Sequence, residues 1–202
     1  MKVRSNSRKL KAAETKRRIY ECTMELMRKR GLDNFTVDDI VKAAGVSVGT
    51  FYVHFKSKFS LVADYVSTID DGYEEFFNSI PPDIKPSKML LLVTEKIVDV
   101  LVNDLEFDVM RTLYEAALKK ADGTQGLLNY NRKLNQIYSQ IIMQGVRQGE
   151  FRETLTIDSV SNHCVMSIRG MTFEWCARYP DFDLKKEVLQ HFDLLLAGIK
   201  NS

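Results

Sequence analysis

Between Phe35 and Lys58 the chain reads FTVDDIVKAAGVSVGTFYVHFKSK, two short apolar periodicities on either side of one glycine. Val37, Ile40 and Val41 recur at three- and four-residue spacing and give a first helix its inner face. Thr36 caps that helix, with Asp39 three residues on as a loose capping box. The helix ends at "AAG", because Gly45 suits the left-handed conformation that a tight helix–helix turn needs. Ser47 caps a second helix. Phe51 and Phe55, four residues apart, face inward from it. A helix, a short turn with glycine and a second short helix make a helix-turn-helix unit, whose second helix lies in the major groove of DNA.

That geometry explains the residue mix at the end of the stretch. Gly49 and Thr50 are small enough to let the backbone approach base edges. Tyr52 and His54 have the reach and the donors to meet phosphates flanking the groove. Lys58, in the first turn of the following helix, can pair with a phosphate as well.

The charge distribution agrees. Residues 1–60 carry 14 Lys and Arg against 6 Asp and Glu, while residues 61–202 carry 15 against 21. A head of net charge +8 on a body of −6 suggests a polyanion-binding head on a separate body. Lys16, Arg17 and Arg18 belong to this basic region, and Lys16 and Arg17 are expected to contact DNA. Residues 1–18 are polar without an apolar centre, so no secretory leader is expected. The apolar runs are too short to span a bilayer, and no membrane partner is expected. The cysteines (Cys22, Cys164, Cys176) form no metal spacing and no even disulfide framework. Cys164 and Cys176 share one helical stretch and would lie roughly 18 Å apart along it. A reduced, cytoplasmic chain with no cofactor and no metal is expected.

The rest of the chain reads as helix throughout. A basic segment, residues 1–12, precedes a first helix from about Ala13 that carries Ile19, Cys22, Thr23, Leu26 and Met27 on one stripe. Ser57 caps a fourth helix running to about Phe77. "IPPDIKP" (Ile80–Pro86) is the clearest break. An apolar helix follows, about Ser87–Val102, then one containing "RTLYEAALKK". "DGTQG" (Asp122–Gly126) precedes a long helix from Leu127 to about Gln148. Two more close the chain, about Thr156–Arg178 and Leu184–Lys200, the last capped by Asp183. The expected fold is all-α, with about nine helices: an N-terminal three-helix helix-turn-helix domain over 1–56, helix four from 57 as a link, and a C-terminal helical body over 57–202.

The stretch IYECTMELMRKRGLDNFTVDDIVKAAGVSVGTFYVHFKSKFSL resembles the N-terminal domain of the TetR family of bacterial transcription regulators. The amphipathic first helix, the glycine, the aromatic-Thr-hydrophobic entry to helix two, "AGVS" at the turn and "GTFYxHFxxK" at its close are all present. The resemblance implies that Thr36 contacts phosphate, that Ser47, Val48, Gly49 and Thr50 face bases or the neighbouring backbone, and that Tyr52, His54 and Lys58 hold the sugar-phosphate chain. Two positions depart from the family pattern. Val48 stands where a polar base-reading residue could sit, so specificity would lean on Thr50, Thr36, the basic arm and DNA shape. Thr23 replaces a small alanine.

One helix-turn-helix makes too small a contact for tight specific binding, so two are expected over half-sites about 34 Å apart. The last two helices are the expected dimer face: Val160, Cys164, Ile168 and Met171 on one, Leu184, Val188, Phe192, Leu195 and Ile199 on the other, with Gly170 able to permit close approach. The resemblance also implies a small effector in the body whose binding releases DNA. Phe76, Phe107, Met110 and Tyr114, with Tyr138, Met143 and Trp175, would suit an apolar or aromatic ligand. The expected function is a homodimeric repressor on a palindromic operator, released by a small molecule. The alternative is the same DNA-binding head on a body that recruits a protein partner. An enzyme is not expected: the chain has no HExxH and no phosphate loop.

Overall fold

The computed structural model describes residues 2–120 and 133–201. Nine α-helices lie among them: α1 (Lys2–Arg30), α2 (Val37–Ala44), α3 (Val48–His54), α4 (Lys58–Ser79), α5 (Pro86–Asp99), α6 (Glu106–Leu118), α7 (Lys133–Arg147), α8 (Ile157–Arg178) and α9 (Leu184–Ile199). A 3₁₀ turn (Leu32–Asn34) follows α1, and a π-helical segment (Val100–Leu105) joins α5 to α6. The expected break at Asp122–Gly126, and the expected helix start with Leu127 and Tyr130, lie outside the described residues.

Two elements differ from the sequence expectation. Helix α1 starts at Lys2 rather than near Ala13, because residues 2–12 contain neither glycine nor proline to stop it. The helix expected to run to Val102 changes pitch at Val100. A π turn widens the ring without breaking the helix, so apolar periodicity does not mark it.

The chain divides into two compact units, Met1–Val66 with Thr112–Leu127, and Ser67–Arg111 with Leu128–Ser202. In the first unit, Ile19, Thr23 and Met27 form the buried stripe of α1, together with Leu32, Phe35, Ile40, Phe51, Phe55 and Leu61. Thr23 is accommodated by donating its hydroxyl to the Ile19 carbonyl at 2.7 Å. A second bond sits beside this core. The Tyr20 hydroxyl donates to Asp64 on α4, the Lys16 ammonium pairs with the same carboxylate, and the Tyr20 ring meets Phe55 edge-on at 5.1 Å.

In the second unit, α7 packs on α8, and α5 lies against α7 and α9. Leu90, Ile97, Ile137, Ile141, Cys164, Val188 and Phe192 fill the space between them. Pro86 opens α5, where its missing N–H costs nothing. Ser87 donates its backbone N–H and hydroxyl to Glu150. Phe151 is buried against α7, and its segment pairs antiparallel with Lys200 at the chain's end.

Candidate nucleic-acid interface

Local chemistry builds the α2–turn–α3 unit. Thr36 accepts the Asp39 N–H at 3.3 Å, and the Asp39 carboxylate takes the Thr36 N–H at 2.8 Å, a complete capping box. Those bonds, from the Thr36 N–H first and then its hydroxyl, hold the Asp39 carboxyl below the usual range. Gly45 sits at φ 61°, ψ 40°. Its N–H reaches the Lys42 carbonyl and the Val46 N–H reaches the Val41 carbonyl at 3.0 Å. This is the double C-terminal bond that a left-handed residue permits. Ser47 accepts the Thr50 N–H at 3.1 Å, and its hydroxyl also meets the Thr50 hydroxyl at 2.8 Å.

Buried Phe51 and Phe55 then orient α3. The opposite side carries Val53, 81 % exposed, and Gly49, and the flanks carry Tyr52, 55 % exposed, and Val48, 42 % exposed. The Tyr52 ring leans edge-on against Phe51 at 5.4 Å, which limits its rotation. His54 is half-buried, 6.2 Å from the Phe55 ring. Thr36, Ser47, Val48, Gly49 and Tyr52 are all exposed, and Thr50 is half-buried. Val53 is the residue that sequence reasoning passed over. Its signal was present, since it stands two positions past Phe51 and therefore about 160° away around the helix.

The basic residues divide differently from expectation. The Lys58 ammonium donates to the carbonyls of Leu32 at 2.6 Å and Phe35 at 2.9 Å. It also lies over the rings of Phe35 and Phe59. Lys58 therefore ties the start of α4 to the turn between α1 and α2, with one of its three donors left over. Lys16 is engaged by Asp64, as described above. Arg17 is exposed, with a loose i,i+4 pair to Glu21 at 3.7 Å.

Two of the residues expected to line an effector site, Phe107 and Trp175, are neighbours. Phe107 meets Trp175 edge-on at 5.7 Å and stacks on Tyr179 at 4.1 Å. Tyr138 is fully buried elsewhere in the core, beside Phe192 and 2.9 Å from the Thr94 hydroxyl. Phe76, Met110 and Met143 are half-buried, and Tyr114 belongs to the first unit.

Most of the residues expected at a dimer face lie in the chain's own core. Cys164, Ile168, Leu184, Val188, Phe192 and Ile199 are buried, and Val160, Met171 and Leu195 are half-buried. The outward side of α8 instead carries His163, Met166, Gly170, Phe173 and Ala177, with the exposed Glu174–Arg178 ion pair beside its last turns. On α9, Leu194 is 68 % exposed.

Burial pushes the thiols up, Cys164 to about 12 and Cys176 to about 11, so neither is a ready nucleophile. Among the described residues, no three His, Cys, Asp or Glu side chains gather as metal ligands. Nor is any helix long and apolar enough to cross a membrane.

The family model for bacterial regulatory proteins of the tetR family matches residues 19–65, the span from mid-α1 into α4. The fatty acid metabolism regulator protein of Bacillus subtilis is 24% identical over 194 residues, covering 91% of this chain and 94% of its own. A TetR-family regulator from Syntrophomonas wolfei shares the fold, with a TM-score of 0.78 at 18% identity, over 92% of this chain and 96% of that one. Thermus thermophilus FadR, a TetR-family repressor solved with lauroyl-CoA, shares it with a TM-score of 0.71 at 24% identity, over 90% and 93%. With the helix-turn-helix geometry at the matched residues, residues 19–65 form the N-terminal domain of the tetR family of bacterial regulatory proteins, and the all-helical body shares the fold of TetR-family regulators along nearly the whole length.

Proposed function

We propose that the chain is a homodimeric repressor that holds a palindromic operator and is released by a small amphipathic effector, with a fatty acyl thioester as the leading class. Functionally, residues 1–56 carry the DNA-binding head, and residues 57–202 carry dimerisation and effector binding in the cytoplasm. The exposed face of α3 opposite buried Phe51 carries this reading. Val48, Gly49 and Thr50 approach the bases, with Ser47 and Thr36 at the flanking backbone. Tyr52, His54, Arg17 and the remaining donor of Lys58 meet phosphates. Lys16 serves the fold through Asp64.

The dimer seam runs along Met166, Gly170 and Phe173 on the outer side of α8 and across Leu194, since the residues beneath are already spent in the core. An apolar stripe rimmed by polar residues is the surface that a two-fold helical interface needs. The acyl class is supported by the relatives, a fatty acid metabolism regulator and a repressor solved with lauroyl-CoA. The aromatic and Met side chains of the body suit an apolar chain. Release is a population shift, in which the effector binds the DNA-incompetent state better and DNA weakens the effector by the same factor.

The test is a footprint of the purified chain on DNA fragments from its own source, repeated with lauroyl-CoA and with free coenzyme A. A few palindromic sites lost only with the acyl form support the reading. Sharp sites indifferent to acyl-CoA refute the effector class. Scattered sites refute the operator and favour recruitment of a protein partner.

A further inference from the structure

The proposed reading of α3 as the groove-entering helix leaves open what it reads there, and we infer that Val48 and Val53 recognise thymine methyl groups. The inference rests on that reading and sharpens it. From Ser47 to His54, the side chains with hydrogen-bonding groups are Ser47, Thr50, Tyr52 and His54. The Ser47 and Thr50 hydroxyls are bonded to each other while Ser47 caps the helix. His54 is half-buried against Phe55. Tyr52 is pinned at its ring by Phe51. With Tyr52, 55 % exposed, directed to phosphate, the groove is left to Val53, at 81 % exposed, and Val48 on the first turn, at 42 %, beside the bare backbone of Gly49.

None of these three can donate to guanine or adenine in the two-pronged way that specifies those bases. The major groove does offer one apolar feature, the C5-methyl of thymine. A β-branched residue helps a short exposed helix little, so folding gives no reason for Val53 to stand out in water. Against a thymine methyl, its two methyl groups bury without leaving any polar atom unmatched. Val48 and Val53 are five residues apart, ~7.5 Å along the helix axis. That is roughly two base-pair steps at 3.4 Å each. Five residues also turn the two valines about 140° apart around the helix, so they face different parts of the groove, and each half-site should carry two thymines, one for each valine.

Deoxyuridine isolates the methyl, because it keeps every hydrogen-bonding group of thymine and drops only that carbon. The operator is first selected from random duplexes with the full chain at low salt. Each thymine is then replaced singly by deoxyuridine, and affinity is read by fluorescence anisotropy. At two positions per half-site, the replacement should weaken binding about four-fold per methyl. Val53→Ala should erase the discrimination at one of those positions, and Val48→Ala at the other. Both residues are exposed enough for the variants to fold, which circular dichroism checks. Uridine tolerated at every position overturns the inference, as does full discrimination retained by both variants. A selection that enriches no sequence overturns the DNA-binding reading and this inference together.

Discussion

Gly145, in α7, is the position where a one-carbon change should tell most about the body of this protein. A Cβ there would fall 2.7 Å from Cγ of Phe151 and closer still to Cδ2 and Cε2 of the same ring. By helix propensity alone, Gly→Ala in a helix interior gains about 1 kcal/mol. The packing term has the opposite sign. Phe151 is fully buried, and its backbone cannot retreat. The N–H groups of Glu150 and Phe151 both donate to the Gly145 carbonyl, at 2.9 and 3.1 Å. The Asn201 side-chain amide donates to the Phe151 carbonyl at 3.2 Å, and the segment is paired with Lys200. The ring must therefore be squeezed or expelled. Overpacking costs ~1–3 kcal/mol, and full loss of a buried phenylalanine costs ~3–5 kcal/mol.

With the backbone pinned, the cost should lie toward the upper figure. Subtracting the propensity gain leaves Gly145→Ala destabilised by about 2–4 kcal/mol. At ~2–4 °C per kcal/mol for a chain of this size, Tm should fall by roughly 5–15 °C. The assay is thermal and urea unfolding at fixed protein concentration, since the proposed dimer would make Tm depend on it. Phe151→Ala supplies the second leg of a cycle. Once the ring is gone, Gly145→Ala should cost little, so the two changes together should be far less damaging than their sum. A Tm at or above wild type for Gly145→Ala, or strictly additive losses, would refute the argument.

Three further outcomes are expected. Burial alone would raise the Asp64 carboxyl, but the hydrogen bonds from Lys16 and Tyr20 outweigh it and hold its pKa down. The stability so gained is present above the ordinary carboxylate value of ~3.9 and is lost as pH falls through the depressed one. Tyr20→Phe should therefore cost ~1 kcal/mol at neutral pH, with the gap to wild type closing in acid on a pH series of melts. Gly170 has no atom near its missing Cβ within the chain. Gly170→Ala should accordingly stabilise the protomer by up to ~1 kcal/mol while weakening the dimer in sedimentation, and an unchanged dimer would argue against the α8 seam. Operator affinity should fall steeply and linearly with log salt, and a flat plot would contradict a phosphate-dominated contact.

The caps were legible in the sequence because their chemistry is local. Thr36 with Asp39, Gly45 and Ser47 each act within three or four residues, and each sits where its side chain or its φ preference places it. Lysines are a different case. Sequence shows that Lys58 has three donors but not which acceptors the fold brings to them, and the carbonyls it meets lie 26 and 23 residues away. Lys16 is likewise paired with Asp64, a residue that only the packing of α1 against α4 makes its neighbour. A basic composition reports a potential, whereas the phosphate-facing subset depends on which cations the fold has already used.

The last two helices show the same limit from the apolar side. A stripe at three- and four-residue spacing is the signature of a face removed from water, and it does not say what removes it. On α8, Cys164 and Ile168 point into the chain's own core. His163, Met166, Gly170 and Phe173, one residue round the helix, point out. Two adjacent apolar stripes on one helix exceed what a single side of packing needs. The residue-level distinction between core and interface therefore comes from the fold, but the surplus is already written in the sequence. Glu174 and Arg178 carry charge beside the outward stripe, yet Met166 and Phe173 stand about half exposed along the same side. On the proposed dimer, that exposed apolar surface asks for a second copy in a way the buried stripe does not.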